Sequence, residues 1–200
     1  MHRISSTAEN KIAQQITISL KDSVLRLIWR EHQISRAEIS RQLNLSRSTV
    51  TEIIKDLLPT GLIAEVGSGE SNGGRKPIML QFQDDAKVIL GIDIGATHVS
   101  VAMTNLRGKL LLWKEKDFPV REDAEGTYEV IDDLCKDCLS TIKHGSKMLL
   151  SIGVAVPSPV DPIHPEYLSE TIIPAWHGKS GLERLRKKYG LPVYLDNDAN

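Results

Sequence analysis

The stretch Ser35-Arg36-Ala37-Glu38-Ile39-Ser40-Arg41-Gln42-Leu43-Asn44-Leu45-Ser46-Arg47-Ser48-Thr49-Val50 decides how the front of this 200-residue chain folds. Its first four residues form a capping box: the Ser35 hydroxyl can accept from the Glu38 amide while the Glu38 carboxylate reaches back to the Ser35 amide, which starts a helix at Arg36. That helix is expected to end near Leu43, because Asn44 tolerates the left-handed conformation that stops a helix and Leu45 turns inward. Ser46 then caps a second helix. Its apolar residues Val50, Ile53, Ile54, Leu57 and Leu58 follow the i, i+3, i+4, i+7, i+8 spacing of one buried face.

The other face of that helix carries Arg47, Ser48, Thr51, Glu52 and Lys55. A short helix, a tight turn and a second helix with a small, polar, basic start is the arrangement that enters a DNA major groove. Arg47, Ser48 and Thr51 are the candidates for base-edge or adjacent phosphate contacts. Arg36, Ser46, Thr49 and Lys55 complete the expected DNA-binding set. Any amphipathic helix solvates its outer face with such residues, so the segment C-terminal to the helix has to carry the weight. There, Leu62 to Gly67 and Lys76 to Phe82 have strand character around Ser68-Gly69-Glu70-Ser71-Asn72-Gly73-Gly74, which reads as a hairpin with a mobile tip. Arg75 and Lys76 leave that tip as adjacent cations. A basic wing beside a recognition helix gains phosphate contacts without reading sequence.

Ahead of this segment, Leu20, Val24, Leu27 and Ile28 share one face of a first helix over residues 18–32, with Trp29 at its edge. Residues 1–16 read as a flexible N-terminus and residues 17–83 as one winged helix-turn-helix domain. A composition of 40% hydrophobic and 26% charged residues is ordinary for a soluble globular protein. The formal net charge of -1 excludes a wholly basic nucleic-acid binder, but the charges are unevenly placed. Residues 1–82 hold 11 Lys and Arg against 8 Asp and Glu, and residues 83–200 hold 14 against 18, so the front is +3 and the rear -4. No apolar run reaches the ~18 residues of a membrane span. Met1 to Asn10 lacks the apolar core of a signal peptide, and the expected compartment is the cytoplasm. Cys135 and Cys138 supply two of the four ligands a structural zinc needs, and they share an apolar helix face with Tyr128, Ile131, Leu139 and Ile142. They read as small hydrophobes, and no metal site is expected.

After a polar joint at Asp84-Asp85-Ala86, Val88 to Asp93 is nearly continuous apolar sequence ending in a carboxylate, as in a buried strand. Val99 to Met103 and the residues from Lys109 to Trp113 continue a three-stranded meander around the turn Asn105-Leu106-Arg107-Gly108. A helix from about Ala124 to Lys143, stopped by Gly145, leads to a strand over Met148 to Val156 that should lie parallel inside the sheet with both faces covered. Pro157-Ser158-Pro159-Val160-Asp161 leaves the carboxyl end of that strand, where open α/β sheets bind ligands. Trp176 is the expected anchor of the irregular residues 162–178. A short basic helix over Gly181 to Tyr189 and a strand over Leu191 to Leu195 then run into Asp196-Asn197-Asp198-Ala199-Asn200.

Taken together, these motifs resemble the ROK family of bacterial sugar-responsive repressors and sugar kinases. The match rests on the wing Gly73-Gly74-Arg75-Lys76-Pro77, on Gly91-Ile92-Asp93-Ile94-Gly95-Ala96-Thr97, which is similar to the family's first phosphate loop, and on Pro157 to Asp161 with Asn197 to Asn200, similar to its sugar-site segments. The resemblance implies an α/β chain in which the winged helix-turn-helix precedes the first lobe of an actin-like, ribonuclease-H-like domain over residues 87–200. It implies a double-stranded DNA operator, a sugar effector and a homodimer as partners, with xylose-type repressors as the nearest flavour. Ser158, Asn197 and Asp198 would face the sugar, Asp198 matching the base of family kinases. Asp93, Gly95 and Thr97 would form the phosphate loop, with Asp93 placed to hold a hydrated Mg²⁺.

Departures weigh against the alternative, an ATP-dependent sugar kinase. Ala96 and His98 stand where kinases carry a second Gly and a Lys, so a β-carbon intrudes on the phosphate approach and a neutral ring replaces a cation. Ser158 replaces a Gly between two prolines. The family's Glu-x-Gly-His motif, its zinc motif and its second lobe lie beyond this chain, which is expected to be a truncated or partial member without catalysis or cofactor.

Overall fold

The computed structural model describes residues 19–68, 76–161 and 163–199. The expected flexible N-terminus and most of the wing tip, including Gly73, Gly74 and Arg75, lie outside the described residues, as does Asn200. The chain divides between Gln83 and Asp84 into two compact units.

In the first unit, helix α1 covers residues 19–30 and buries Val24, Leu27 and Ile28. A two-residue strand β1 (Ile34–Ser35) precedes α2 (Arg36–Gln42), α3 (Arg47–Leu57), a 3-10 turn at Leu58–Thr60, and strands β2 (Ile63–Ser68) and β3 (Ile78–Phe82). The sheet order is β1-β3-β2, all antiparallel, with Ile34 opposite Leu80 and Glu65 opposite Leu80 from the other side. Strand β1 has no sequence signature. Its two residues are held by Leu80 and Met79, more than forty positions away.

The helices begin as their caps dictate. Ser35 Oγ accepts from the Glu38 amide at 3.2 Å, and Ser46 Oγ from the Thr49 amide at 3.1 Å. The reciprocal half of the expected capping box is different, because the Glu38 carboxylate goes to Arg41. Asn44 has φ 51, so the turn between α2 and α3 uses the left-handed residue the sequence offers. The apolar face of α3 ends one residue early. Pro59 has no N–H to continue the α-helical ladder, so Leu58 enters the 3-10 turn half-buried and Gly61, at φ 74, closes it.

The second unit is a five-stranded sheet in the order β6-β5-β4-β7-β8. Strands β4 (Val88–Ile94), β5 (His98–Asn105) and β6 (Leu110–Asp117) form an antiparallel meander, while β7 (Leu149–Val156) and β8 (Val193–Asn197) run parallel to β4. The crossovers carry α4 (Ala124–Ser140), a one-turn α5 (Gly145–Met148) and α6 (Leu182–Tyr189). One core joins Leu90, Ile92, Val101 and Ile152 of the sheet to Ile131, Leu134, Cys135 and Cys138 of α4 and Leu182 and Leu185 of α6.

Two expectations differ from the structure. Helix α4 stops at Ser140, because Ser140 and Thr141 turn their hydroxyls onto the Asp137 and Cys138 carbonyls, and Gly145 opens α5 instead of ending α4. Strands β4 and β7 are also not covered equally on both faces. On β4, Val88, Leu90, Ile92 and Ile94 are buried, whereas Ile89, Gly91 and Asp93 are half-exposed. On that outer face the row Trp113, Ala102, Gly91, Gly153, Tyr194 crosses the sheet by register, with Trp113 52% and Tyr194 66% exposed.

Candidate DNA-binding surface and ligand-facing strand edge

The expected DNA-contacting residues fall into groups that the sequence alone does not separate. Arg47, Ser48, Thr51, Glu52 and Lys55 are all exposed on α3, opposite buried Val50, Ile53, Ile54 and Leu57. Arg47 and Lys55 form no ion pair among the described residues. The acid at the far end of α3, Asp56, is matched by Lys21 of α1 at 2.5 Å. Arg47 therefore presents its donors beside the amides at the start of an 11-residue helix, a setting that favours anions and guanine edges. Lys76 is exposed two residues before β3.

The hydroxyls are more committed. Ser46 Oγ caps the helix and lies 2.7 Å from Ser48 Oγ and 2.8 Å from Thr49 Oγ1, and Thr51 Oγ1 donates to the Arg47 carbonyl at 2.8 Å. Ser46 and Thr49 thus build the helix start, and the exposed Ser48 shares its hydroxyl with the capping Ser46. Arg36 is committed as well. Its Nη2 donates to Glu65 Oε1 of β2 at 2.6 Å, a partner that sequence reasoning missed because the two residues meet only through the register of β1, β3 and β2.

The second group of residues lies along the carboxyl ends of β4, β7 and β8. Asp93, Ala155 and Asp196 are in one register row, and Asn197 stands opposite Val156. Asp198 donates its backbone amide to the Val156 carbonyl at 3.1 Å and leaves its carboxylate exposed. Asn197 is largely occupied by backbone, its Nδ2 donating to the Val156 carbonyl at 3.4 Å and its Oδ1 accepting from the Ala199 amide at 3.0 Å. Ser158 does not join this edge. It is 0% exposed and its Oγ accepts from the Ser169 amide at 3.1 Å, so its hydroxyl pins the loop below the surface and cannot reach a sugar. Trp176 anchors the same loop as expected, 4% exposed, with its indole N–H donating to the Val120 carbonyl at 3.0 Å.

The phosphate-loop residues Asp93, Gly95 and Thr97 occupy a tight hairpin in which the Gly95 amide donates to the His98 carbonyl at 3.0 Å. His98 folds back over this turn. A β-carbon on Gly95 would lie 2.7 Å from His98 Nδ1, and His98 Nε2 is 3.6 Å from Asp93 Oδ2. The imidazole thus packs against the Gly95 turn and faces the Asp93 carboxylate. No group of three His, Cys, Asp or Glu side chains able to hold a metal occurs among the described residues.

Cys135 and Cys138 are both buried on α4, and burial pushes the Cys135 thiol up to about 12. An open groove of about 710 Å³ runs elsewhere, between the start of α4 and the 174–184 segment. Within it Arg184 donates to Glu125 at 2.5 Å and lies 4.5 Å over the Tyr128 ring, and no residue of the Asp93–Asp198 edge lines it. No helix among the described residues is long and apolar enough to cross a membrane.

Known proteins share both units. The sequence matches the ROK family model over residues 89–200 and the winged helix-turn-helix DNA-binding model over residues 23–64. A xylose repressor of Caldicellulosiruptor bescii is 31% identical over 181 residues, 88% of this chain and 44% of that protein. The xylose repressor of Bacillus subtilis is 28% identical over 177 residues, 88% of this chain and 45% of that protein. The present chain therefore spans less than half the length of these relatives. A crystal structure of a ROK family transcriptional regulator, described as a homolog of the Escherichia coli MLC protein, superposes with a TM-score of 0.70 at 21% identity, covering 91% of this chain and 46% of that one. That likeness speaks to the fold.

Proposed function

The chain belongs to the ROK family, and from that membership we propose that it acts as a DNA-binding transcriptional regulator, a sugar-responsive repressor of carbohydrate-use genes in the cytoplasm. The observation that carries the proposal is α3, which buries four apolar residues and presents Arg47, Ser48, Thr51 and Lys55 outward from a serine-capped start. Similarity to xylose repressors along both units supports it and makes a pentose the first effector to test. The protein binds as a homodimer, reading two-fold-related half-sites one helical turn apart. Asp198, with Asn197 behind it, offers the sugar a carboxylate suited to accepting hydroxyl hydrogens.

The protein does this without catalysis or a bound cofactor. His98 against Gly95 and Asp93 supports a phosphate loop that has lost its ligand. Selection from a random duplex pool at fixed salt, followed by sedimentation of the complex with and without D-xylose, tests the reading. An enriched two-fold site bound by two chains is expected. Sugar-dependent ATP turnover that disappears in Asp198→Asn would replace the proposal with the kinase alternative.

A further inference from the structure

Helices α2 and α3 begin with the same step, a capping serine followed by arginine: Ser35-Arg36 and Ser46-Arg47. The two arginines have different surroundings. Arg47 is exposed and forms no ion pair among the described residues, whereas Arg36 is held by Glu65 at 2.6 Å with 29% of its side chain exposed. The restraint is built by the sheet. Glu65 stands opposite Leu80, whose other neighbour is Ile34, two residues before Arg36, so both partners sit on hydrogen-bonded elements and meet without ordering a loop.

Resting on the DNA-binding reading above, we propose that Glu65 is a specificity-determining positioning residue that keeps Arg36 off the phosphate backbone and leaves phosphate neutralisation to α3 and the wing. A cation available to any phosphate strengthens binding to every sequence alike. Pairing Arg36 internally lowers that uniform term while Arg47 keeps the base-dependent one. Glu65 carries out its role through Arg36 and touches no DNA itself.

The test measures binding of the full chain to its selected site and to a scrambled duplex across a salt series, for wild type, Glu65→Gln, Arg36→Ala and the double variant. In Glu65→Gln the slope of log affinity against log salt should steepen by about 0.9, one phosphate contact. Scrambled duplex should be bound more tightly, and the ratio of specific to non-specific affinity should fall. Arg36→Ala should keep the wild-type slope, and the double variant should return to it. A Glu65→Gln slope equal to wild type overturns the inference, as does a shallower slope in Arg36→Ala, which would mean that Arg36 already contacts phosphate. A general loss of fold would lower affinity for both duplexes and would not be undone by adding Arg36→Ala. No binding by the wild-type chain removes the DNA-binding reading itself and this inference with it.

Discussion

At Gly95 a single added carbon would strike the ring of the loop's own histidine, 2.7 Å from His98 Nδ1. A relief variant exists because the clash involves a side chain. Gly95→Ala should destabilise the second unit by about 1 kcal/mol, the low end of the cost of overpacking, because the 35%-exposed His98 ring can partly give way. Gly95→Ala with His98→Ala should recover most of that loss, as read by denaturant unfolding. A Gly95→Ala variant as stable as wild type would show that the ring does not rest on this turn. The same residue marks a limit of sequence reading. That His98 stands where family kinases carry a cation is visible in the letters; that its ring packs on the Gly95 turn is not, because the contact depends on the hairpin folding back on itself. Ser158 and Arg36 make the same point. A polar side chain announces that it needs a partner, and for both the partner is internal, Ser169 for one and Glu65 for the other.

Among the elements, α4 illustrates how an apolar stripe fixes chemistry as well as packing. Cys135 and Cys138 share the stripe with Ile131 and Leu134, and burial raises the Cys135 thiol from its ordinary value of 9 to about 12. Burial also raises Tyr128 from 10 to about 12, against the lowering effect of the Arg184 guanidinium. In the unfolded chain these groups ionise at their ordinary values, so above about pH 9 the unfolded state holds fewer protons than the folded one. Stability from these groups is complete below pH 9 and declines as pH rises towards 12. Thermal melts of the chain should shift to lower temperature from pH 8 to pH 11, with a shallower decline between pH 9 and 10 in Cys135→Ala. A melt unchanged across that range would contradict the burial of both groups. Periodicity made α4 readable but not its end, since the hydroxyls of Ser140 and Thr141 stop it before the glycine that looked like the terminator. Strand β1 was unreadable for a different reason: two residues carry no period, and their partners lie far along the chain.

In the whole molecule, two periodicities announce two units. Helical spacing with serine caps governs the front, and apolar strands alternating with helices govern the rear, where the order β6-β5-β4-β7-β8 follows from a meander and two parallel crossovers. Cover on the sheet was less legible. The outer face of β4 and β7 is floored by Gly91, Gly153 and Ala102 between exposed Trp113 and Tyr194, and small apolar residues read as buried whether or not anything lies on them. The proposed function divides along the same line, with sequence readout proposed for α3 in one unit and ligand contacts for the strand edge at Asp198 in the other. The readout is the central claim, and equilibrium binding of the full chain at fixed salt tests it, comparing the selected site with a scrambled duplex for wild type, Arg47→Ala and Lys76→Ala. Arg47→Ala should lose about 1 to 3 kcal/mol of discrimination between the two duplexes, while Lys76→Ala should weaken both equally. Discrimination that survives intact in Arg47→Ala, or is absent from the wild-type chain, would contradict the assignment of α3 as the reading helix.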